Sequence, residues 1–317
     1  MISAFDSVTF RPPTQADAPA CLDLMIRRDV SEYGESDSDM DDLLYDWQVI
    51  DMQQDAWLAY TPQGDLIGYG VVLPVGAVYR YDFCADPTWE GPELSRALLA
   101  RCEGRARSLL QVREGKARVM TRTYLAHVNQ RDAEIVKQAG FEAVKYHFQM
   151  YIDMKDVTAE PRWPAGITLR MVKPGEDDRR LHAFIQAAFE RPGRTAQNFE
   201  DWKAFMMRPD VFKPDLWVLA LEGEEIVGAC LGFEYPEGGW VRQLGVSPAW
   251  RGKGLGAALL LNAFGEFKRR GFEQVGLVVE SDNPTAMQFY QRVGMYCKRQ
   301  YDEYVKWIEA GEAQLAG

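Results

Sequence analysis

The chain of 317 residues repeats itself, and this internal repeat constrains its fold more than any other feature. The segment DAWLAYTPQGDLIGYG, which begins at Asp55, matches DLWVLALEGEEIVGAC, which begins at Asp215. The segment ADPTWEGPELSRALL, which begins at Ala85, matches VSPAWRGKGLGAALL at 246–260 without a gap. The matching segments follow one another in the same order in both halves. We therefore predict two copies of one domain, each large enough to bury a core of its own.

The seam between the copies, DMKDVTAEPRWPAG at 153–166, is rich in residues that interrupt helices and strands. We predict a first domain over residues 1–154, a linker over 155–165 and a second domain over 166–317. In the second copy, the spacing of apolar residues and of turn residues predicts the order β-α-α-β-β-β-α-β-α-β. This order is typical of an α/β domain that is built on one mixed sheet.

Composition excludes several classes of function. The net charge of −11 opposes attraction to nucleic-acid phosphates or to anionic lipid surfaces. No segment approaches the roughly 20 apolar residues of a membrane span, and the first residues lack the pattern of a secretory signal. The cysteines are scattered without close pairs, which argues against a disulfide framework and a zinc site. We predict a cytoplasmic protein with no metal site and with neither nucleic acid nor a membrane as its partner.

A glycine-rich segment at 246–257 lies between a predicted strand and a predicted helix of the second copy. Its glycines leave backbone N–H groups uncovered, and a helix N-terminus carries a partial positive charge. Its cationic side chains add positive charge within an acidic protein. These glycines and cations are Gly252, Gly254, Gly256, Arg251 and Lys253. The segment predicts a phosphate or pyrophosphate site, or in a simpler interpretation a tight turn between strand and helix.

Three other motifs place glycines in this way, and each lacks a part here. A Walker loop requires Ser or Thr directly after its Lys, and a glycine stands there. A nucleophile elbow at Ser247 requires a His later in the chain, whereas the last one is His182. A dinucleotide fingerprint fits Gly252, Gly254 and Ala257, but five residues separate these glycines from the strand. A nicotinamide-dependent oxidoreductase is kept as an alternative.

The segment resembles the signature of the GNAT superfamily of acetyltransferases, V-x-P-x-x-R-G-x-G-x-G/A between a strand and a helix. The matching residues are Val246, Pro248, Arg251, Gly252, Gly254 and Gly256. A second block of that family resembles Asn283, Ala286, Phe289, Tyr290 and Gly294. The resemblance covers residues 165–307, and the layout of two domains is similar to that of mycothiol synthase and its relatives. It implies an α/β fold of two GNAT-like domains, each a mixed, mostly antiparallel sheet flanked by helices.

The resemblance implies an enzyme that transfers an acetyl group from the cosubstrate acetyl-CoA directly to a primary amine of a small molecule or peptide. The pyrophosphate would lie on the backbone amides of this loop, and the pantetheine arm would pair like a strand with Leu244 to Val246. Asn283 would hold that arm, and Tyr290 would protonate the departing thiolate; a tyrosine on this helix face also fits core packing. The implied acetyl-CoA-binding residues are Leu244, Gly245, Val246, Arg251, Gly252, Lys253, Gly254, Leu255, Gly256, Ala257, Asn283 and Tyr290.

The base that deprotonates the amine is less defined than the acid. Glu234, Glu237 and Glu280 lie at or near strand ends beside the predicted cleft, and a chain of water molecules is an alternative. The catalytic candidates are Tyr290, Glu280 and Glu234. Trp240 stands where relatives of mycothiol synthase place a strand Glu, which weakens a prediction of one particular substrate.

The gapless alignment predicts that the first copy does not bind CoA in the same way. Its replacements put two carboxylates and a proline without an N–H into the glycine loop and an aliphatic side chain at the position of Tyr290. These replacements are Glu90, Pro92, Glu93, Ser95 and Val136. Asn129 alone matches its counterpart, Asn283. We predict a degenerate copy that packs, completes the substrate pocket or binds something else.

Other features leave alternatives open. Residues 29–55 hold ten acidic residues and no Lys or Arg, which indicates a solvated face or a mouth for a cationic amine. Trp202, Phe205 and Met206 lie at helical spacing and fit core packing or a wall of the acceptor pocket. A non-catalytic protein that binds or senses acyl-CoA is the second alternative function. The sequence does not define the acceptor amine, the acyl chain or the oligomeric state.

Overall fold

The chain divides into two compact units. The computed structural model describes residues 4–111, 118–190, 196–209, 211–235, 238–280 and 284–309. The first unit comprises Met1–His147 and Arg299–Gly317, and the second comprises Phe148–Lys298. The first unit therefore includes most of the last strand of the chain.

The first unit is a sheet with helices on both faces. Its strands are β1 (Thr9–Arg11), β2 (Ala56–Tyr60), β3 (Leu66–Val75), β4 (Val78–Ala85), β5 (Arg118–Ala126) and residues 142–147 of β6 (Glu142–Asp153). Its helices are α1 (Ala18–Tyr33), α2 (Met40–Gln48), α3 (Met52–Asp55), α4 (Glu93–Gln111) and α5 (Gln130–Gln138). The strand order is β1-β2-β3-β4-β5, followed by the strand Tyr296–Glu309. Only the pair β4 and β5 is parallel among the strand pairs of the described residues in this order.

The second unit has the same plan. Its strands are residues 148–153 of β6, then β7 (Ile167–Met171), β8 (Phe212–Glu222), β9 (Glu225–Tyr235), β10 (Gly238–Val246) and β11 (Gln274–Glu280). Its helices are α6 (Asp178–Ala188), α7 (Phe199–Met206), α8 (Leu255–Arg269) and α9 (Pro284–Arg292), and the strand Tyr296–Glu309 is β12. The order is β6-β11-β10-β9-β8-β7, in which β10 and β11 run parallel and β7 to β10 are antiparallel neighbours.

Helix α8 packs closely on the sheet of the second unit because glycines in the strands leave room for it. A Cβ on Gly228 would lie 2.8 Å from Leu259, and a Cβ on Gly239 would lie 2.5 Å from the ring of Phe267. Both of these α8 side chains are fully buried in one large core. In the first unit, Gly68 likewise lies directly under α4, with Leu94 and Leu98 3.2 Å from where its Cβ would be.

A second feature is repeated in both units. Arg11 forms an ion pair of 2.6 Å with Asp17, and Arg170 forms one of 2.6 Å with Asp177. In each pair, the carboxylate also accepts from a backbone N–H in the turn that follows β1 in the first unit and β7 in the second. These shared contacts confirm the predicted fold class of two related α/β domains with mixed, mostly antiparallel sheets.

No helix in the described part of the chain is long and apolar enough to cross a lipid bilayer.

Candidate active site

A gap between two parallel strands forms the centre of the candidate site. Over the fully described strands β10 and β11, the ladder joins Gly239 with Val275 and Trp240 with Gly276. Both strands then continue, β10 to Val246 and β11 to Glu280, without further pairing. The backbone N–H and C=O groups on these facing edges are therefore available to an extended ligand, which can pair with them like an added strand.

A β-bulge lies at the closed end of this gap. In the ladder between β10 and β9, Val241 pairs with Gly232 and Gln243 pairs with Leu231, so Arg242 is an extra residue. Gln243 accepts a hydrogen bond of 3.3 Å from the Trp202 indole of α7. The bulge bends β10 at the point where it leaves β11, and this bend accounts for the divergence of the two strands.

The glycine loop lies at the open end of the gap, between β10 and α8. Gly252 and Gly254 have φ values of 74° and 86°, a region that glycine adopts without strain. A Cβ on either glycine would meet no atom within 4 Å, so the loop surface is open. The first helical backbone bond runs from the Ala258 N–H to the Gly254 carbonyl. Within this described segment, the N–H groups of residues 252–257 have no backbone acceptor. The loop thus presents uncovered donors at a helix N-terminus, as an anion site requires.

The two predicted cations of the loop differ in where they point. The Arg251 guanidinium donates to the carbonyl oxygens of Val246 and Ala188, at 3.2 Å and 2.9 Å. It therefore braces the loop against the end of β10 and the end of α6. The Lys253 ammonium lies 4.9 Å from the centre of the Trp250 ring. Among the described residues, neither cation forms an ion pair with a carboxylate.

Tyr290 lies on α9 on the same face of the sheet as α8. Phe289 of α9 lies 3.5 Å from the position that a Cβ on Gly256 would take, which brings the start of α8 next to α9. Burial raises the pKa of Tyr290 well above its ordinary value, and the nearby Cys230 thiol adds to this effect. Its hydroxyl has no hydrogen-bond partner among the described residues. Tyr290 is thus a protonated donor that is available to a ligand.

The face of the gap opposite to α8 and Tyr290 is defined by the alternation of side chains along β10 and β11. A Cβ on Gly245 would lie 3.2 Å from Phe184 of α6, and Gln243 contacts α7, so these positions of β10 face α6 and α7. On β11, Val275, Leu277 and Val279 lie in the core. Val278 is 41% exposed on the other side, where Glu280 follows it by alternation.

Three predicted site residues are not found beside the glycine loop in the described part of the chain. Glu234 accepts a hydrogen bond of 2.5 Å from Arg270, which also binds Asp215 and Glu266. Arg270 follows α8 about 24 Å from Gly254, at a helical rise of about 1.5 Å per residue. The structure therefore does not bring Glu234 to the glycine loop. Asn283 and Glu237 lie outside the described residues.

The sequence also leaves Arg242 unassigned, although it lies at the bulge beside the gap. The sequence around Arg242 gives no sign of the bulge, because an extra residue in a ladder shows only when the two strands are paired.

Trp202 and Met206 are buried in the core, whereas Phe205 is 40% exposed. Of these three aromatic and sulfur side chains, Phe205 is therefore the one that can contact a ligand.

The loop of the first unit is occupied by its own side chains. A Cβ on Gly91 would collide with the carboxylate of Glu93, the first residue of α4, so this carboxylate lies over the loop. Val136 is fully buried at the position of Tyr290. Asn129 caps α5 by accepting from the Asp132 N–H. The ladder between β3 and β4 has no register shift, so the bulge of β10 is absent from β4.

Comparisons with known proteins agree on one family. The model of the acetyltransferase (GNAT) family matches residues 179–295. A GCN5-related N-acetyltransferase from Sphaerobacter thermophilus, of known structure, is 31% identical with a TM-score of 0.85, and the match covers 97% of this chain and 98% of that one. A tandem GNAT protein from the clavulanic acid biosynthesis pathway shares the fold, with 16% identity, a TM-score of 0.71 and coverage of 97% and 100%.

The curated relatives that the chain resembles include several mycothiol acetyltransferases. The protein from Geodermatophilus obscurus is 31% identical over 172 residues, which are 51% of this chain and 56% of that protein. The protein from Paenarthrobacter aurescens is 30% identical over 211 residues, which are 61% of this chain and 63% of that protein. The chain thus matches less than two thirds of the length of either relative.

Proposed function

The chain belongs to the GNAT family of acetyltransferases, and from this membership we propose that its second unit transfers an acetyl group from acetyl-CoA to a primary amine of a small molecule or peptide. Acetyltransferases of this family use acetyl-CoA. The observation that carries the proposal is the gap between β10 and β11, which has uncovered loop amides at one end and the protonated Tyr290 on one face.

The residues present fit acetyl-CoA. A pyrophosphate needs several donors on a surface free of side chains, and the open loop around Gly252 and Gly254 provides them. An amide-containing arm needs an unpaired strand edge, and Leu244 to Val246 provide one along the gap. The distance along β10 from Val246 to the bulge is about 13 Å at a rise of about 3.3 Å per residue. The thioester would then lie near the closed end of the gap.

The two faces of the gap would divide the chemistry between them. The amine nitrogen attacks the thioester carbonyl, a C–N bond forms, the C–S bond breaks, and the CoA thiolate takes a proton from Tyr290. The amine loses a proton on the other face, through a chain of water molecules that leads along the gap toward Glu280 of β11. We propose Glu280 rather than Glu234 for this role, because the ion pair with Arg270 occupies the Glu234 carboxylate on the α8 face of the sheet.

Direct transfer is supported by the state of the thiol that acts on Tyr290, that of Cys230. Burial raises the pKa of the Cys230 thiol to about 12, so it is not a thiolate at neutral pH. A cysteine nucleophile must be deprotonated to accept an acyl group. Cys230 is therefore unsuited to carry an acetyl-enzyme intermediate.

The first unit would bind no acetyl-CoA in its loop, because the Glu93 carboxylate already lies where a pyrophosphate would have to sit. The acceptor class, a small-molecule amine such as the relatives' names suggest or a peptide amine, is part of the proposal. A cytoplasmic location remains a prediction from the cysteine pattern.

The test combines binding and turnover. Calorimetric titration of the whole chain with acetyl-CoA and separately with NAD should give one site per chain for acetyl-CoA and none for NAD. Release of free CoA thiol should then depend on an added primary amine. Tight acetyl-CoA binding with no turnover over a wide panel of amines would instead identify a binding or sensing protein. Binding of NAD without acetyl-CoA would support the nicotinamide alternative.

A further inference from the structure

Arg242 stands on the face of the gap that the proposed reaction leaves to the acceptor. The bulge makes it an extra residue of β10, two residues after Trp240, the last residue of β10 that pairs with β11. Its guanidinium lies 5.0 Å from the centre of the Phe205 ring on α7. Gln243, the next residue, also contacts α7. Arg242 and Gln243 therefore share the α7 face, opposite to α8 and Tyr290.

Arg242 differs from the other arginines around the site in having no anionic partner. Arg170 is paired with Asp177, Arg270 with three carboxylates, and Arg251 with two backbone carbonyls. Among the described residues, Arg242 forms no ion pair and no hydrogen bond. Its guanidinium lies beside the Phe205 ring, and the charges of Tyr235 and Arg208 act on it.

A second guanidinium reinforces this positive surface. Arg208 lies 5.6 Å from the centre of the same Phe205 ring. Desolvation lowers the pKa of Arg242, and the charge of Arg208 lowers it further while Tyr235 opposes the effect. Arg208 has contacts of its own, and its charge adds to the positive potential that surrounds Arg242. In a protein of net charge −11, this arrangement is a local exception that favours an anionic ligand.

We propose that Arg242 binds an anionic group, a carboxylate or a phosphate, on the acceptor amine. This inference rests on the proposed function, because it places the acceptor on the α7 face of the gap. The guanidinium fork binds either anion through two parallel N–H donors. The amine end of the acceptor would lie on the same face, at the thioester near the closed end of the gap. The acceptor would therefore be an amine that carries a negative charge elsewhere in the molecule.

The experiment compares matched amines that differ in one group. The pairs are β-alanine with β-alaninamide, for the carboxylate, and phosphoethanolamine with ethanolamine, for the phosphate. Acetylation by the whole chain is followed as CoA thiol release, and kcat and KM are determined for each amine. We expect the charged member of one pair to have a kcat/KM roughly ten- to a hundredfold higher, as one charge-assisted contact provides. The pair that shows the preference distinguishes carboxylate from phosphate.

Arg242→Gln should raise KM for the charged amine by a similar factor, leave kcat within about threefold and leave the neutral amine unchanged. Arg242→Lys should restore part of the preference, because it keeps the charge without the fork. The matched control is Arg179→Gln. Arg179 also stacks on a phenylalanine of α7, Phe199 at 4.2 Å, but it is paired with Glu200. This control should change neither parameter.

The outcomes separate the inference from the proposed function. Equal rates for charged and neutral amines, or an unchanged preference in Arg242→Gln, would overturn the anion site and leave the acetyltransferase standing. If no amine is acetylated, the proposed function fails, and calorimetric binding of the four amines to the CoA-loaded protein decides the anion site. Binding of a charged amine that Arg242→Gln abolishes would support the site, and absence of such binding would refute it.

Discussion

Replacement of Gly254 by glutamate tests the proposed phosphate site most directly. Gly254 caps α8 with a φ of 86°, and a Cβ there would meet no atom within 4 Å. A side chain thus fits sterically, and the structural cost is that of a left-handed backbone, about 1 kcal/mol. A fall of roughly 2–4 °C in the melting temperature corresponds to this cost in a unit of this size.

The effect on binding should be much larger than the effect on stability. In the first unit, Glu93 occupies the equivalent position, and its carboxylate lies over Gly91, the counterpart of Gly252. A glutamate at 254 would place its carboxylate in the same way, over the proposed pyrophosphate site. Two unit charges about 4 Å apart near a protein surface repel by about 4 kcal/mol before salt screening. If screening removes half of this, about 2 kcal/mol remains, which weakens acetyl-CoA binding about thirtyfold.

Gly254→Gln is the matched control, because glutamine has the same backbone strain and nearly the same size without the charge. We expect calorimetry at low salt to show a dissociation constant for acetyl-CoA that is at least about thirtyfold higher in Gly254→Glu and less than about fivefold higher in Gly254→Gln. The ratio between the two variants should fall as salt is raised, because the Debye length shortens from about 10 Å at 0.1 M to about 3 Å at 1 M.

Two results would refute the reasoning. If Gly254→Gln weakens binding as much as Gly254→Glu, the loss comes from the backbone or from bulk, and charge repulsion is not its cause. If neither variant changes the affinity while both remain folded, the phosphates do not lie on the loop.

Three further predictions concern the acid, an ion pair and the packing of α8. Tyr290→Phe should lower kcat by a factor of roughly 10²–10⁴ with unchanged acetyl-CoA affinity. Because the pKa of Tyr290 is raised, the wild-type rate should show no loss from phenol ionisation up to about pH 10. A kcat of Tyr290→Phe within threefold of wild type would rule out the acid role. The hydrogen bond from Arg170 lowers the pKa of Asp177, so the carboxylate stabilises the fold above its ordinary pKa, and this stabilisation is lost as the pH falls through the lowered value. Asp177→Asn should therefore cost on the order of 1–3 kcal/mol in urea unfolding at pH 7, and the difference from wild type should narrow in strong acid; a difference that is constant with pH would contradict this. Gly239→Ala should lower the thermal stability, by about 1–3 kcal/mol, because its Cβ would lie 2.5 Å from an aromatic ring of α8. Gly265→Ala, in open space within α8, should raise the stability by up to about 1 kcal/mol, and equal effects at the two glycines would exclude packing as the cause.

The fold and the glycine loop were predictable because their causes are local. Gly252 and Gly254 adopt positive φ values that few other residues tolerate. A loop of this shape therefore requires glycine at these positions, and the requirement is visible in the sequence. Gly68 and Gly228 match in the alignment because each lets a helix approach its strand. Such requirements act on single positions, and a comparison of the two halves of the chain finds them.

The side chains that lie on each face of the gap were not predictable, because their placement depends on how the strands pair. Glu234 and Glu280 are both acidic residues near strand ends, and the sequence does not separate them. The structure does, because Arg270 holds Glu234 under the end of α8, whereas alternation along β11 puts Glu280 on the opposite face. The bulge at Arg242 is hidden for the same reason, since it is a property of the ladder between β9 and β10. The assignment of the last strand to the first unit is also hidden, because a repeat comparison orders residues along the chain only.

The first unit indicates which parts of this geometry we expect the proposed chemistry to require. Its parallel strands β4 and β5 also stop pairing, after Tyr81 and Thr123, and then continue to Ala85 and Ala126. A gap between parallel strands is therefore a property of the fold that both units share, and it does not by itself make a site. What the second unit adds is a bulge at the closed end, a loop free of side chains at the open end and a tyrosine in place of a buried valine. In the first unit, the Glu93 carboxylate covers the loop. Glu93→Gly would remove this carboxylate, but the first unit would still lack the bulge and the tyrosine. We therefore expect no acetyl transfer by a first unit that carries Glu93→Gly.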